Sequence, residues 1–234
     1  MGHKKLIRFA AIKAFPNVLE FPIEMKGQWH SFFSNMHPIT LELACGKGEY
    51  TVGLSRMFPE RNFIGVDIKG NRIYTGAKKC LDEGLKNGAF LRTQIDRIAE
   101  YFAPNEVDEI WITFPDPQLR SGKLKKRLTH PKFLRLYNQF LRPGGSIHLK
   151  TDSPQLYNFT KLVIELFNLK LVKDIGDVYA QVDTDAVLTI KTHYEGLDIA
   201  QSNRVFYLQF QLPDVIPDND AILKQSVFDE EKTG

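Results

Sequence analysis

The sequence predicts an α/β fold: a mostly parallel, seven-stranded sheet with helices on both faces and an antiparallel edge. Two observations carry that expectation. Between residues 39 and 167 short apolar runs alternate with longer segments of helical spacing, the order that right-handed βαβ units produce. Beyond residue 168 the alternation stops. Leu169 to Val178 and Val205 to Leu212 are strand-like runs with no helical pattern between them, which places an antiparallel pair at one edge of the sheet.

Each element follows from its own residues. Ile39 to Ala44 is a short apolar strand running into the loop Cys45-Gly46-Lys47-Gly48. Tyr50, Leu54, Met57 and Phe58 then repeat at helical spacing, and Pro59 closes that helix. Phe63 to Ile68 is the second strand. Ile73, Ala77, Cys80 and Leu81 mark a helix that ends by Gly84. Ala89 to Thr93 and Val107 to Phe114 are the third and fourth strands. Phe133, Leu136, Tyr137 and Phe140 share one helix face, opened near Thr129 to Pro131 and stopped by Pro143-Gly144-Gly145. Ser146 to Thr151 is the fifth strand, and Leu156, Phe159, Val163, Leu166 and Phe167 form the next helix. Residues 38–212 thus read as one domain. Residues 1–37 form an N-terminal extension, and 213–234 an acidic C-terminal tail.

A chain of 234 residues with 43% hydrophobic and 25% charged residues has the balance of a soluble globular protein. Its net charge of +3 is too mild to attract a polyanion, so any such affinity must come from local clusters. Cys45 and Cys80 have neither CxxC spacing nor histidine company, so no zinc site or disulfide framework is expected. Nor do His130, His148 and His193 show metal-ligand spacing. No apolar stretch approaches membrane-spanning length, and the expected location is the cytoplasm.

The glycine loop after the first strand lets a ligand approach the backbone closely. Asp67, at the end of the next strand, can accept both hydroxyls of a ribose. Dinucleotide-binding proteins share these two parts. Two details differ here: Thr51 stands where a third small residue belongs, and Glu42 inside the first strand would repel a pyrophosphate. A cofactor with an amino group and a sulfonium is compatible with Glu42. A plain strand-to-helix turn is the alternative.

Thr113-Phe114-Pro115-Asp116-Pro117 braces one carboxylate between two prolines at the end of an apolar strand. Arg120, Lys123, Lys125, Lys126, Arg127, Lys132 and Arg135 follow with no acid among them. A fixed acid beside a basic run suggests chemistry on nucleic acid. The plainer readings are a Pro-Asp-Pro turn and a solvated helix flank.

Together these residues resemble the tRNA (guanine-N7-)-methyltransferases. The resemblance lies in the E-x-x-C/F-G-x-G loop from Glu42, the strand-end acid and the F-P-D-P sequence. It extends through Lys150-Thr151-Asp152 and Thr192-His193-Tyr194-Glu195, so it covers Leu41 to Leu212. It implies the Rossmann-like class I fold of S-adenosylmethionine-dependent methyltransferases. It also implies methyl transfer to N7 of a variable-loop guanine in tRNA, nucleotide 46, with no metal.

Carried over by position, it places Glu42, Gly46, Gly48, Asp67, Asp96 and Asp116 around S-adenosylmethionine, with Asp96 near the adenine. Asp116 also has the catalytic part. Asp152, Thr192 and Glu195 would face the guanine, with His193 and Tyr194 of the same motif beside it. Where the family continues P-D-P-W-x-K-x-R-H, this chain reads Pro115-Asp116-Pro117-Gln118-Leu119-Arg120-Ser121-Gly122-Lys123. Arg120 and Lys123 are therefore both candidates for the substrate-contacting base. Thr192 and Glu195 also fit a capping box. The competing functions are a nicotinamide-dependent oxidoreductase and a non-catalytic tRNA-binding protein. Monomer and homodimer both remain open.

Overall fold

The computed structural model describes residues 3–197 and 200–233. Of the acids in the C-terminal tail, the side chains of Glu230 and Glu231 lie outside the described set, as does that of Lys4 near the N-terminus. Eight strands form one sheet: β1 (Val18–Glu20), β2 (Ile39–Leu43), β3 (Asn62–Asp67), β4 (Gly88–Arg92), β5 (Val107–Thr113), β6 (Leu141–Thr151), β7 (Lys170–Ile175) and β8 (Phe206–Gln211). Their order is β1-β4-β3-β2-β5-β6-β8-β7. All pairings are parallel except β6–β8 and β7–β8. The antiparallel edge lies where the lost helical pattern put it.

The strand count corrects the sequence reading from seven to eight. The additional strand, β1, is only three residues long, too short to show a period, and it pairs with Phe90 to Arg92 at the other edge. β2 is buried along its whole length, as expected of a strand covered on both faces.

Helices α1 (His3–Ala11), α2 (Trp29–Phe33), α3 (Glu49–Met57), α4 (Gly70–Asp82), α5 (Pro131–Tyr137), α6 (Pro154–Leu166) and α7 (Asp220–Thr233) cover the sheet. Caps set two of their starts. His130 Nδ1 accepts from Lys132 N ahead of Pro131, and Ser153 Oγ accepts from Leu156 N ahead of Pro154. α5 ends at Tyr137, and β6 begins at Leu141, before the Pro143-Gly144-Gly145 stop. The register against β5 jumps from Val107↔Leu141 to Glu109↔Ser146, so Arg142 to Gly145 stand opposite Asp108 alone and form a bulge inside the strand.

The segments flanking residues 38–212 also reach the core. Trp29 is fully buried and donates Nε1–H to Tyr101 O at 2.8 Å. Glu106 accepts from the amides of Gly27, Trp29 and Ala103. At the other end Leu223 and Val227 of α7 join the main cluster, and Arg135 pairs with Asp220 at 2.7 Å.

The chain runs β2, β3, β4 to one side, then returns to place β5 on the other side of β2. A crevice opens outside the carboxyl ends of β2 and β5, where the strand order reverses. Backbone strain collects there. Ala44 (φ 56°) leaves β2 and Phe114 (φ 46°) leaves β5, both in the left-handed region that costs a non-glycine residue roughly 1–3 kcal/mol.

Candidate active site

Two cavities meet at this crevice, and both include Ala44 and Asp67. The smaller, about 380 Å³, lies over β3 and β4 between Thr93, Ile95, Asp96 and Phe133. The larger, about 620 Å³, lies over β5 and β6 and includes Asp116, Asp152 and Tyr194.

The glycine loop forms the near wall. Gly46 and Gly48 hold φ of 57° and 71°. A Cβ on Gly48 would fall 2.4 Å from the Phe90 ring, so the close packing of loop on sheet requires glycine there. Asp67, at the end of β3, accepts from Gly46 N at 3.0 Å and Lys69 N at 2.8 Å. Each carboxylate oxygen thereby keeps a lone pair for a ligand, and the residue stands at the junction of the cavities.

Glu42 lies elsewhere. It is 3% exposed and lines neither cavity. Oε2 accepts from Thr51 N at 2.8 Å and Thr51 Oγ1 at 2.6 Å, and Oε1 accepts from Thr113 Oγ1 at 3.0 Å. Thr51, which departs from the dinucleotide pattern, is thus the residue that ties α3 to this carboxylate. Burial raises the Glu42 carboxyl to about 7, against hydrogen bonds from Thr51 and Thr113 that lower it.

The sign of the pH effect follows. The folded state holds this proton more tightly than the unfolded chain, so the stabilisation is complete below about pH 4.5 and disappears as pH rises through 7. At 1.36 kcal/mol per pKa unit, the loss is about 3 kcal/mol. Glu42→Gln keeps a carbonyl for Thr51 and offers an amide to Thr113. In urea unfolding from pH 4.5 to 8 the wild type should lose that amount relative to the variant. Parallel profiles would take the titration away from Glu42.

The other acids sit in loops that leave successive strands. Asp96 follows β4, rims the smaller cavity and pairs with Lys132 of α5. Thr93 beside it is fully buried, and its Oγ1 has no hydrogen-bond partner among the described residues. Asp116 is exposed on the larger cavity. Its Oδ1 accepts from Gln118 N at 3.0 Å, which closes the Pro-Asp-Pro turn. The turn reading is therefore correct, and it is compatible with a site role. Asp152 follows β6, lines the same cavity and accepts from Ala200 N at 3.3 Å.

The Thr192 to Glu195 motif divides. Tyr194 lines the larger cavity and lies over Gly46, with the Arg72 guanidinium 5.4 Å from its ring. His193 is exposed and packs edge-on against Tyr194. Thr192 and Glu195 form the reciprocal bonds of a capping box, 3.1 Å and 3.4 Å. The Glu195 carboxylate turns away from the cavity: its Oε2 is 3.0 Å from Lys150 Nζ and its Oε1 meets the Tyr179 hydroxyl. The structure therefore does not bring Glu195 to the cavity wall.

Lys150 carries no site signal in the sequence beyond its place beside Thr151-Asp152, which gives no hint of burial. It is fully buried, also donates to Ile190 O at 3.1 Å, and lies among the rings of Tyr50, Phe114 and Tyr179. Its own carbonyl accepts from Phe114 N at 2.8 Å. One residue thus joins the turn carrying Asp116 to the segment carrying Tyr194.

The basic run is shorter in space than in sequence. Arg127 is buried, with Nε donating to Pro117 O at 3.2 Å and its guanidinium over Phe159. Lys132 and Arg135 are held by Asp96 and Asp220. Arg120, Lys123, Lys125 and Lys126 remain exposed. Lys125 and Lys126 line the smaller cavity, whereas Arg120 and Lys123 line neither.

Known proteins resemble this chain along most of its length. Residues 36–208 match a family model described as "Putative methyltransferase". The chain is 49% identical to the tRNA (guanine-N(7)-)-methyltransferase of Bacteroides thetaiotaomicron over 91% of its length and 87% of that protein. It is 44% identical to that of Christiangramia forsetii over 91% and 100%. Among solved structures the fold is similar to the 16S rRNA methyltransferase KamB, with a TM-score of 0.58 at 17% identity over 80% of this chain and 94% of that one.

Proposed function

The chain belongs to the tRNA (guanine-N(7)-)-methyltransferase family, and we propose that its cleft methylates N7 of one variable-loop guanine in tRNA. The observation that carries the reading is the set of four carboxylates, Asp67, Asp96, Asp116 and Asp152, around two cavities that meet at Asp67. S-adenosylmethionine, when bound, supplies an electrophilic methyl on a sulfonium. The site fits that cofactor. Apolar Ile68, Ile95 and Phe133 suit an adenine, Thr93, whose Oγ1 has no partner among the described residues, lines the same cavity, and Asp67 suits the ribose. A dinucleotide pyrophosphate would instead meet Asp67, Asp116 and Asp152.

The guanine N7 lone pair lies in the ring plane and carries no proton, so the reaction needs no strong base. The protein has to align the reactants and to stabilise a ring that becomes cationic. Asp116 and Asp152, on the larger cavity, serve the second need and can also accept hydrogen bonds from guanine N1–H and the exocyclic amine. Tyr194 offers a ring between glycine loop and substrate. Arg120 and Lys123 stand outside both cavities and Lys125 and Lys126 line the smaller one, a bank of cations that suits passing tRNA phosphates. Glu195 acts through Lys150 as a positioning residue.

We read residues 38–212 as the methyltransferase domain. Among the described residues no helix is long and apolar enough to cross a membrane; a tRNA substrate supports a cytoplasmic location.

Incubation of the protein with labelled S-adenosylmethionine and bulk tRNA tests the reading. Label recovered as 7-methylguanosine is the expected result; label in another nucleoside, or none, would refute it. A second prediction concerns the cofactor. Asp67→Ala removes charge-assisted bonds worth roughly 1.5–3 kcal/mol each, so S-adenosylhomocysteine should bind at least tenfold more weakly in calorimetry. Unchanged affinity would exclude Asp67 from the site.

A further inference from the structure

Cations flank the cleft on two sides, and only one side is visible as a run in the sequence. The second is a groove of about 610 Å³ between α3, α4 and the segment Ile190–Lys191. It contains Lys47, Lys79, Lys191, Arg56 and Thr75, with Glu49 the only acid among its described lining residues. Arg56 is taken up by Glu83 at 2.5 Å. Lys47, Lys79 and Lys191 make no ion pair among the described residues.

The groove and the larger cavity are linked by α4: Arg72 lines the cavity, and Thr75, Gly76 and Lys79, three, four and seven residues further along the same helix, line the groove. Lys47 is the residue between Gly46 and Gly48, and Lys191 is three residues before Tyr194. On the same side Lys69 and Arg72 carry positive charge into the larger cavity itself. Arg72 and Lys69 share that cavity with Asp116 and Asp152, and α4 connects them to Lys79 in the groove, which Lys47 and Lys191 also line.

We propose that the groove binds backbone phosphates of the tRNA, opposite the bank formed by Arg120, Lys123, Lys125 and Lys126. The proposal rests on tRNA being the substrate. A nucleotide presented to a cavity has a phosphate on each side, and cations on one lip alone would let the backbone pivot about that contact. Cations on both lips fix the nucleotide between them. Lysines suit such contacts, because each is a strongly hydrated point charge that neutralises phosphate without demanding one geometry. The contacts carry no base information, so the groove adds affinity and orientation and leaves base choice to the cavity.

The test is Lys79→Gln/Lys191→Gln, both exposed side chains, with tRNA binding followed by fluorescence anisotropy across a salt series. Each phosphate contact contributes roughly 0.7–0.9 to the slope of log K against log salt. The expected slope is therefore shallower than wild type by about 1.5, with affinity in low salt at least tenfold weaker. Lys79→Glu/Lys191→Glu should weaken it further. Affinity for S-adenosylhomocysteine should match wild type, which reports an intact fold. Wild-type slope and affinity in both variants would overturn the groove as a phosphate site. Formation of 7-methylguanosine by the unmodified protein is measured separately, so failure of the reaction reading and failure of the groove give different results.

Discussion

Asp116→Asn is expected to lower kcat about a hundredfold or more, the effect of removing one preorganised electrostatic group. The structure makes this a clean substitution. Asp116 is exposed, and its Oδ1 holds Gln118 N. Asparagine keeps that acceptor, so the turn between Pro115 and Pro117 is preserved. What disappears is the negative charge that opposes positive charge growing on the guanine ring. Affinity for tRNA should stay close to wild type, because phosphate contacts dominate it. Affinity for S-adenosylhomocysteine is the check on the fold. A variant with near wild-type turnover would move the catalytic part to Asp152.

The second large effect belongs to the buried pair. Lys150→Met leaves the Glu195 carboxylate, 6% exposed, without its cation. Breaking a buried pair from one side costs about 3–5 kcal/mol, read as a lower urea midpoint. Burial lowers the Lys150 ammonium against the opposing pull of Glu195, so the pair survives on their mutual contact. Lys150→Met/Glu195→Leu should regain most of the stability, since neither charge is then stranded. Its kcat should nonetheless stay low while S-adenosylhomocysteine still binds, because the segment carrying Tyr194 loses the Lys150 ammonium that holds Ile190 O and Glu195, while the backbone bond from Phe114 N to residue 150 keeps the Asp116 turn in place. A single variant as stable as wild type would show that the pair is not structural. A fully active double variant would show that it positions nothing.

The sheet was legible because its central strands are buried on both faces. Ile39 to Ala44 and Val107 to Phe114 read as apolar runs for that reason. β1 escaped because three residues cannot show a period. The carboxylates Asp67, Asp96, Asp116 and Asp152 were legible because the loop after each strand delivers its acid to the same crevice. Charge was the hardest to read. Lys132 and Arg135 belong to an acid-free run in sequence but find Asp96 and Asp220 across the fold. Lys47, Lys79 and Lys191 are scattered in sequence and share one groove. Glu195 fits a capping box and a site motif equally well as a string of letters. Only the placement of Lys150 and Tyr179 around it shows which way the carboxylate turns.

Mapping 7-methylguanosine at nucleotide resolution in tRNA is the most direct test of the central claim, that this cleft methylates one guanine in the variable loop. It requires cells with the gene, cells without it, and cells carrying Asp116→Asn. Loss of the modification at a single variable-loop guanine is expected, restored by the wild-type gene and not by the variant. An unchanged map in the cells that lack the gene, or loss of a methyl from a different base atom, would contradict it.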